Sequence, residues 1–259
     1  MTPWVTRLLI ANVVMFVLAQ PGTTLFRLLW FVPTNVLATP WSPVTYMFLH
    51  GGFWHILFNM LMLYFFGPRL EARLGSRDFL FLYFLSGIAG AALSYLFVFL
   101  TGPSAIVGAS GAIFGVLFGF AKYWPHERIF IWGILPVPAR VMVLGMAALS
   151  IYSGITGAGG NIAHFAHLGG FVGAWGYLKI RERRSRTFQR KATPGADPST
   201  LERISGRAAR AEKKWEEIRL DELHEINRQE VERIRAKIDR HGAGALTPDE
   251  RAFMNRMAE

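Results

Sequence analysis

The sequence predicts an all-α membrane protein: a bundle of six transmembrane helices with a short fourth helix, followed by a small helical tail in the cytoplasm. Two observations favour this fold class. Of the 259 residues, 52% are hydrophobic, and residues 1–180 hold only nine of the 28 Lys and Arg residues and three of the 18 acids. Six apolar segments, each a candidate membrane helix, follow one another in the same part of the chain,.

Charge is therefore concentrated in the last 79 residues. A soluble domain usually has about 25% charged residues, so residues 1–180 are not an ordinary soluble domain. The net charge of +10 requires no nucleic-acid partner, because basic residues beside membrane spans orient the protein and contact anionic lipid. The chain has no cysteine, which excludes disulfides, thiolate metal ligands and a Cys nucleophile.

The apolar segments divide the chain into three parts. Residues 1–180 are predicted to form the membrane domain, 181–198 a basic juxtamembrane segment with a linker, and 199–259 a helical tail. A spanning helix needs about 20 mainly apolar residues. The segments that approach this length are residues 4–19, 53–66, 79–100, 110–124, 137–155 and 161–180.

Lys and Arg residues orient the spans, because short cytoplasmic loops are enriched in them. The loops after the second and fourth spans and the segment after the sixth each carry three or more, whereas the other loops carry one or none. Both termini are therefore predicted to be cytoplasmic. The basic segment 179–191 is expected to bind anionic lipid.

The fourth predicted span is too short to cross the bilayer. Residues 110–124 would cover about 22 Å of a hydrocarbon layer of about 30 Å. The helix should begin inside the membrane, after irregular backbone that is tolerated only where protein or a water-filled cavity satisfies it. Ser110 would then lie at the floor of a wet cavity, beside free helix N–H groups that stabilise a developing oxyanion.

Glycines on two predicted helices suggest how a general base could come close to Ser110. His167 lies on the sixth span, and glycines on both helices would allow the two side chains to approach within ~2.6–3.2 Å, the reach of proton transfer. The glycines also favour close helix packing, and both interpretations can hold because Ser110 lies outside the row of glycines on its helix. The glycines near the two residues are Gly108, Gly111, Gly115 and Gly170.

Other polar residues at membrane depth are candidates for the same site. His164, one turn before His167, is the alternative base, although its place near the outer surface favours an interfacial role. His55 and Asn59 form an i, i+4 pair on the second span,. This pair either forms hydrogen bonds between helices or donates to an oxyanion beside Ser110.

Missing residues exclude several enzyme classes. The acids of the membrane part, Glu71, Asp78 and Glu127, lie in or beside predicted cytoplasmic loops. None can complete a Ser-His-Asp triad, so a Ser-His dyad is expected. A His-Glu-x-x-His motif is absent,, and no carboxylate pair is available for an aspartic mechanism or an ion pump. No cofactor or metal is implied.

Four successive motifs resemble those of the rhomboid intramembrane serine proteases, in order within residues 7–177. In the second motif, Glu71 and Arg73 match a structural pair of that family. The motifs are Thr-Tyr-Met-Phe-Leu-His-Gly-Gly-Phe-Trp-His-Ile-Leu-Phe-Asn at 45–59, Leu-Glu-Ala-Arg-Leu-Gly at 70–75, Gly-Ala-Ser-Gly at 108–111 and Ala-His-Leu-Gly-Gly at 166–170.

The resemblance implies a rhomboid-like core in a bacterial cytoplasmic membrane that cleaves single-span membrane proteins near the extracytoplasmic face. Ser110 would be the nucleophile and His167 the general base. His55, Asn59 and the Ser110 N–H would form the oxyanion hole. Two alternatives stay open: a catalytically inactive rhomboid-like protein that binds membrane helices in quality control or trafficking, and a channel or transporter.

The tail is predicted to contain two helices. One has its apolar residues on a single stripe, and the second begins at Thr247, where Pro248 and Glu250 complete the pattern of a capping box,. We expect a charged helical hairpin with little core of its own. The apolar stripe comprises Leu223, Ile226, Val231, Ile234 and Ile238.

Overall fold

The computed structural model describes residues 1–131, 134–156, 161–191 and 210–258. The described chain is mainly helical, and most residues of each of the six apolar segments lie in helices. In chain order the helices up to residue 191 are α1 (Pro3–Leu18), α2 (Thr24–Leu29), α3 (Ser42–Thr45), α4 (Phe53–Leu74), α5 (Ser76–Leu96), α6 (Val98–Thr101), α7 (Ser110–Tyr123), α8 (Ala139–Thr156) and α9 (Asn161–Lys191). Short 3-10 turns occur at Pro33–Asn35 and Tyr46–Phe48.

Among the described residues, two helices, α5 and α8, are long and apolar enough to cross a membrane. A third span results if α3 with the turn after it and α4, which are bent by 95°, count as one. The helices α1 and α7 are apolar but shorter. A short fourth helix is thus confirmed, whereas the number of six spans stays a prediction.

Helix α4 is longer than predicted. It continues through Pro68 to Leu74, so Arg69 and Arg73 lie on a helix and not in a loop. The apolar i, i+4 spacing also continues, because Leu70 and Leu74 are buried. That burial keeps the segment helical despite the one main-chain donor that Pro68 lacks.

The all-α prediction missed a β-hairpin between α7 and α8. Strand β1 (Arg128–Ile131) pairs antiparallel with β2 (Leu135–Pro138). The fifth span was predicted from Val137, but this residue lies in β2 and α8 begins at Ala139. A residue before proline is disfavoured in the helical conformation, and Val137 precedes Pro138.

The described chain forms two compact units, of which the larger comprises Thr2–Glu71 and Ser76–Leu178. Helix α7 lies in its core, since most of its residues are buried. Glycines bring three helices into contact there. A Cβ atom at Gly115 would collide with Ser86 of α5, and one at Gly170 of α9 would collide with the main-chain oxygen of Gly111.

The smaller unit comprises Met1, Ala72–Gly75 and Lys179–Glu259. Its described helices beyond the end of α9 are α10 (210–216), α11 (Glu225–His241) and α12 (Pro248–Met257). The expectation of little core was wrong, because aromatic and aliphatic residues outside the apolar stripe complete a buried cluster. The cluster consists of Ala72, Trp215, Ile218, Val231, Ile234, Leu246, Phe253 and Met254.

Ion pairs connect the parts of the smaller unit. The buried side chains of Arg73 and Glu230 lie 3.1 Å apart, and Arg181 pairs with Asp249 at 2.7 Å. Arg256 donates to the main-chain oxygen of Arg73 at 3.1 Å. This guanidinium therefore satisfies a carbonyl group at the C-terminal end of α4.

The capping box at the start of α12 is confirmed. The Thr247 hydroxyl accepts from the Glu250 N–H at 3.2 Å, and the Glu250 carboxylate accepts from the Thr247 N–H at 2.8 Å. Burial raises the pKa of Glu250, but hydrogen bonds from Lys237, the Thr247 N–H and Arg233 outweigh burial and lower the pKa to about 2.

The three-part division of the chain stays a prediction. The expected linker and the start of the tail fall within 192–209, which lies outside the described residues.

Candidate active site

The loop that precedes α7 is held by main-chain hydrogen bonds. Phe31 and Ile106 exchange two bonds of 3.1 and 2.7 Å, and the Gly108 N–H donates to the oxygen of Tyr46 at 2.9 Å. Gly108 has φ +124°, in the region that favours glycine,. The irregular backbone before the short helix thus finds hydrogen-bond partners within the protein.

Ser110 is the first residue of α7, after the N-cap residue Ala109. The first N–H groups of a helix have no acceptor within that helix and carry its positive dipole end. The Ser110 hydroxyl therefore lies beside main-chain donors that can stabilise negative charge. The 14 residues of α7 span about 21 Å, so the helix is as short as the sequence predicts.

The structure brings Ser110 and His167 together. The Ser110 Oγ lies 2.8 Å from the His167 Nε2, although the residues are 57 positions apart. Contact between the helix backbones makes this approach possible, since Gly170 of α9 packs against the carbonyl group of Gly111. The distance is within the reach that proton transfer from a hydroxyl group requires.

Phe114 holds the imidazole of His167. The two rings are stacked, with centroids 4.1 Å apart and an angle of 15° between their planes. Phe114 follows Ser110 by one helical turn and thus shares its face of α7. The sequence reasoning missed this residue, although its i, i+4 spacing from the serine was visible.

His55 of α4 lies beside the loop that precedes α7. Gly108 has no side chain, and a Cβ atom there would lie 2.7 Å from the His55 Nε2 and 3.7 Å from the Ser110 Oγ. The His55 Nδ1 accepts from the Gly51 N–H at 3.3 Å. A neutral imidazole that accepts at Nδ1 carries its proton on Nε2, so His55 is a donor on the side of Ser110.

The side chain of Asn59 forms a hydrogen bond within its own helix, α4. Its buried side-chain amide donates to the main-chain oxygen of His55 at 2.8 Å. One of the two amide protons is therefore used within α4. The ring of His50, which is fully buried, packs edge-on against His55 with centroids 5.0 Å apart.

The rival base, His164, contacts the ring of His167 edge-on with centroids 6.1 Å apart. Of these two histidines, His167 is the one with a ring nitrogen at hydrogen-bond distance from Ser110.

The acids of the larger unit have partners at other places. Glu71 accepts from the N–H groups of Trp4 and Val5 and from the Ser76 hydroxyl. The remaining two are Asp78, which accepts from Tyr177 at 2.9 Å, and Glu127, which pairs with Arg69 at 3.2 Å. This arrangement fits a dyad without an acid. Within the described ranges, no cluster of three His, Cys, Asp or Glu residues is positioned to hold a metal ion.

Known proteins are similar in sequence to the part of the chain that contains Ser110 and His167. A family profile described as Rhomboid domain matches residues 38–183. The mitochondrial Rhomboid protein 1 of Saccharomyces cerevisiae is 39% identical over 129 residues, which are 48% of this chain and 36% of that protein. The Putative rhomboid protease YdcA of Bacillus subtilis is 36% identical over 150 residues, 56% of this chain and 70% of the relative.

Another relative, Rhomboid-like protease 3 of Toxoplasma gondii, is 31% identical over 180 residues, 65% of this chain and 64% of the relative. Several relatives are longer proteins. The chain spans 36% of the length of the yeast protein and 41% and 32% of two RHOMBOID-like proteins of Arabidopsis thaliana. Since the matching profile covers more than half of the chain, the chain belongs to the rhomboid family of multi-pass membrane proteins.

Proposed function

We propose that the chain is an intramembrane serine endopeptidase that cleaves single-span membrane proteins near the extracytoplasmic face through a Ser110–His167 dyad. The observation that carries this proposal is the distance of 2.8 Å between the Ser110 Oγ and the His167 Nε2. Membership of the rhomboid family, and relatives that are named as proteases, support the same reaction class.

In the first step, the Ser110 oxygen attacks the scissile carbonyl carbon while its proton passes to the His167 Nε2. The resulting imidazolium protonates the leaving amine, and an acyl-enzyme remains. Water then enters, gives a proton to His167 and attacks the ester. His167 returns that proton to the Ser110 oxygen as the ester bond breaks, which releases the carboxylic acid and restores the serine.

The tetrahedral intermediates carry an oxyanion, which needs hydrogen-bond donors. The Nε2 of His55 and the Ser110 Oγ both border the space above Gly108, so the Nε2–H of His55 is suited to this role,. The Ser110 N–H is the second candidate donor, because it belongs to the first residue of α7 and has no acceptor within that helix,. Asn59 would join them with its second amide proton. Its bond to the oxygen of His55 holds the amide on the face of α4 that carries both residues.

Substrate selection follows from the bilayer. A peptide bond in a membrane helix is already hydrogen-bonded, and exposing it in lipid is costly. We therefore expect substrates whose helix is locally weak, with small or helix-breaking residues near the cleaved bond. We also propose that the protein lies in the cytoplasmic membrane of a bacterium with both termini in the cytoplasm. Residues 179–191 would then bind anionic lipid.

The proposal is tested by incubating the purified protein with a labelled single-span substrate. Wild type should cleave it and react with a fluorophosphonate probe, whereas Ser110→Ala should do neither, because the substitution removes the attacking oxygen. Ser104→Ala, at an exposed position in the loop before α7, is the matched control and should behave as wild type.

A wild-type protein that binds the substrate but neither cleaves it nor reacts with the probe would favour the second candidate, an inactive binder of membrane helices. Normal cleavage by Ser110→Ala would exclude Ser110 as the nucleophile.

A further inference from the structure

The hairpin between α7 and α8 is apolar along its whole length. No charged residue occurs between Arg128 and Arg140, although this stretch lies on the side that the basic residues assign to the cytoplasm. Soluble loops are normally polar. An uncharged loop that begins and ends with arginine is therefore unusual for a segment in water.

The apolar side chains are exposed towards the tip. Ile134 is 83% exposed, and Phe130 and Leu135 are each 59% exposed. Phe130 lies opposite Pro136 on one face of the hairpin, whereas Leu135 lies opposite Ile131 on the other. Both faces and the tip thus present apolar groups, which in water would favour aggregation.

The base of the hairpin is fixed in position. The Ala139 N–H donates to the oxygen of Glu127 at 2.8 Å, and the Glu127 carboxylate pairs with Arg69 at 3.2 Å. The Arg69 guanidinium also lies over the ring of Trp124, 4.4 Å from its centroid. Because α8 starts directly after β2, the hairpin is held at the end of a helix that is apolar enough to span the membrane.

We propose that this hairpin is a membrane-binding element whose tip rests in the headgroup region of the leaflet on the cytoplasmic side. Its apolar surface is continuous along the chain with that of α8, where Leu144 is 68% exposed. Arg128, the first residue of β1, and Arg140, the second residue of α8, lie at the base of the hairpin, where they would contact lipid phosphate groups.

The backbone limits how deeply the hairpin enters. A two-stranded sheet has N–H and C=O groups on its outer edges that no strand satisfies. Such groups are not tolerated in hydrocarbon, so the strands remain among hydrated headgroups and only the tip side chains reach the acyl chains. A two-stranded hairpin is also marginally stable in water, and contact with lipid would stabilise its fold.

The absence of cysteine permits a direct test in the full chain. Ile134→Cys carries a nitroxide label, and the protein is reconstituted in vesicles of phosphatidylcholine and phosphatidylglycerol. Collision of the label with oxygen, which concentrates in lipid, is compared with collision with a water-soluble nickel chelate. Leu144→Cys is the lipid control and Arg240→Cys, at an exposed tail position, is the water control.

We expect the ratio of oxygen to nickel collisions at position 134 to be several-fold above that at position 240 and below that at position 144. A ratio equal to that at position 240 would overturn the proposal. Spectral broadening that disappears on dilution with unlabelled protein would also overturn it, because the tip would then contact a second copy. Phe130→Cys provides the same measurement if the first variant does not fold.

Discussion

The imidazole of His167 lies flat against the ring of Phe114, with 4.1 Å between the centroids. This stacking fixes the plane of the imidazole, so its Nε2 remains directed at the Ser110 Oγ. In the proposed mechanism, Phe114 is a positioning residue, since it acts through the base.

Replacing Phe114 by leucine should lower kcat about tenfold, equivalent to ~1.4 kcal/mol in the barrier, while KM changes little. Leucine keeps the apolar volume but not the flat surface. Phe114→Tyr should retain near-normal kcat because the ring is kept. Steady-state kinetics in detergent measures both, and an unchanged kcat in Phe114→Leu would show that stacking does not position the base.

Removal of the base should distinguish the two histidines of α9. His167→Ala should lose at least ~10²-fold in kcat, the usual minimum contribution of a general base. His164→Ala should lose far less, since His167 is the residue in contact with Ser110. Cleavage assays on folded variants decide the matter, and the reverse order of activities would transfer the role of base to His164.

Contact between α7 and α9 depends on the absence of a side chain at Gly170. Gly170→Val should destabilise the protein by ~1–3 kcal/mol through overpacking, since even a Cβ atom collides with the carbonyl of Gly111. Activity should fall because Ser110 and His167 are forced apart. Gly176→Val is the control on the same helix, as a Cβ atom there has nothing within 4 Å. Equal thermal midpoints for the two variants would contradict the packing argument.

A valine at Gly115 of α7 should also destabilise the protein, but through a contact with a different helix. A Cβ atom at Gly115 collides mainly with Ser86 of α5. Gly115→Val should therefore lower the thermal midpoint by displacing α5, and Ser86→Ala in the same chain should partly restore it. No restoration would mean that the strain lies against atoms that Ser86→Ala keeps, either the Ser86 Cβ atom or the Gly170 oxygen of α9.

The tail should lose stability in acid. The pKa of Glu250 is lowered from its ordinary value of 4.5 to about 2, so its carboxylate binds protons more weakly in the folded tail than in the unfolded one. Its contribution is fully present above about pH 4.5. As the pH falls through about 2 the contribution is lost, because protonation breaks the bonds to Arg233 and Lys237.

The ¹⁹F resonance of 5-fluorotryptophan at Trp215, in the tail core, reports tail folding as pH is lowered. Glu250→Gln should be less stable than wild type at pH 7, and the difference should shrink between about pH 4.5 and 2. A difference that is independent of pH would show that the charge of Glu250 does not stabilise the tail.

The sequence allowed some of these features to be predicted because their signals are local or depend on membrane physics. The capping box of Thr247 and Glu250 depends on four consecutive residues. Ser110 was identified because a short apolar helix must start inside the bilayer. These arguments require no knowledge of which helices are neighbours.

Features that depend on tertiary contacts were missed. An aromatic residue such as Phe114 is common in any apolar helix, and only its contact with His167 distinguishes it. Trp215 and Phe253 lie outside the apolar stripe of the tail, so their joint burial was not visible in the helical period. The hairpin was missed because most of its residues lie between the fourth and fifth predicted spans, and its last two, Val137 and Pro138, were assigned to the fifth span.

Glu71 has a consequence for the order in which the chain folds during synthesis. Its carboxylate accepts the Trp4 N–H at the start of α1, and the two residues are 67 positions apart. At a translation rate of ~5–20 residues per second, Trp4 is made roughly 3 to 13 seconds before Glu71 is made. During that interval the first N–H groups of α1 must bind water or lipid phosphate at the membrane surface. Helix α1 therefore reaches its final hydrogen bonding only after the end of α4 has emerged.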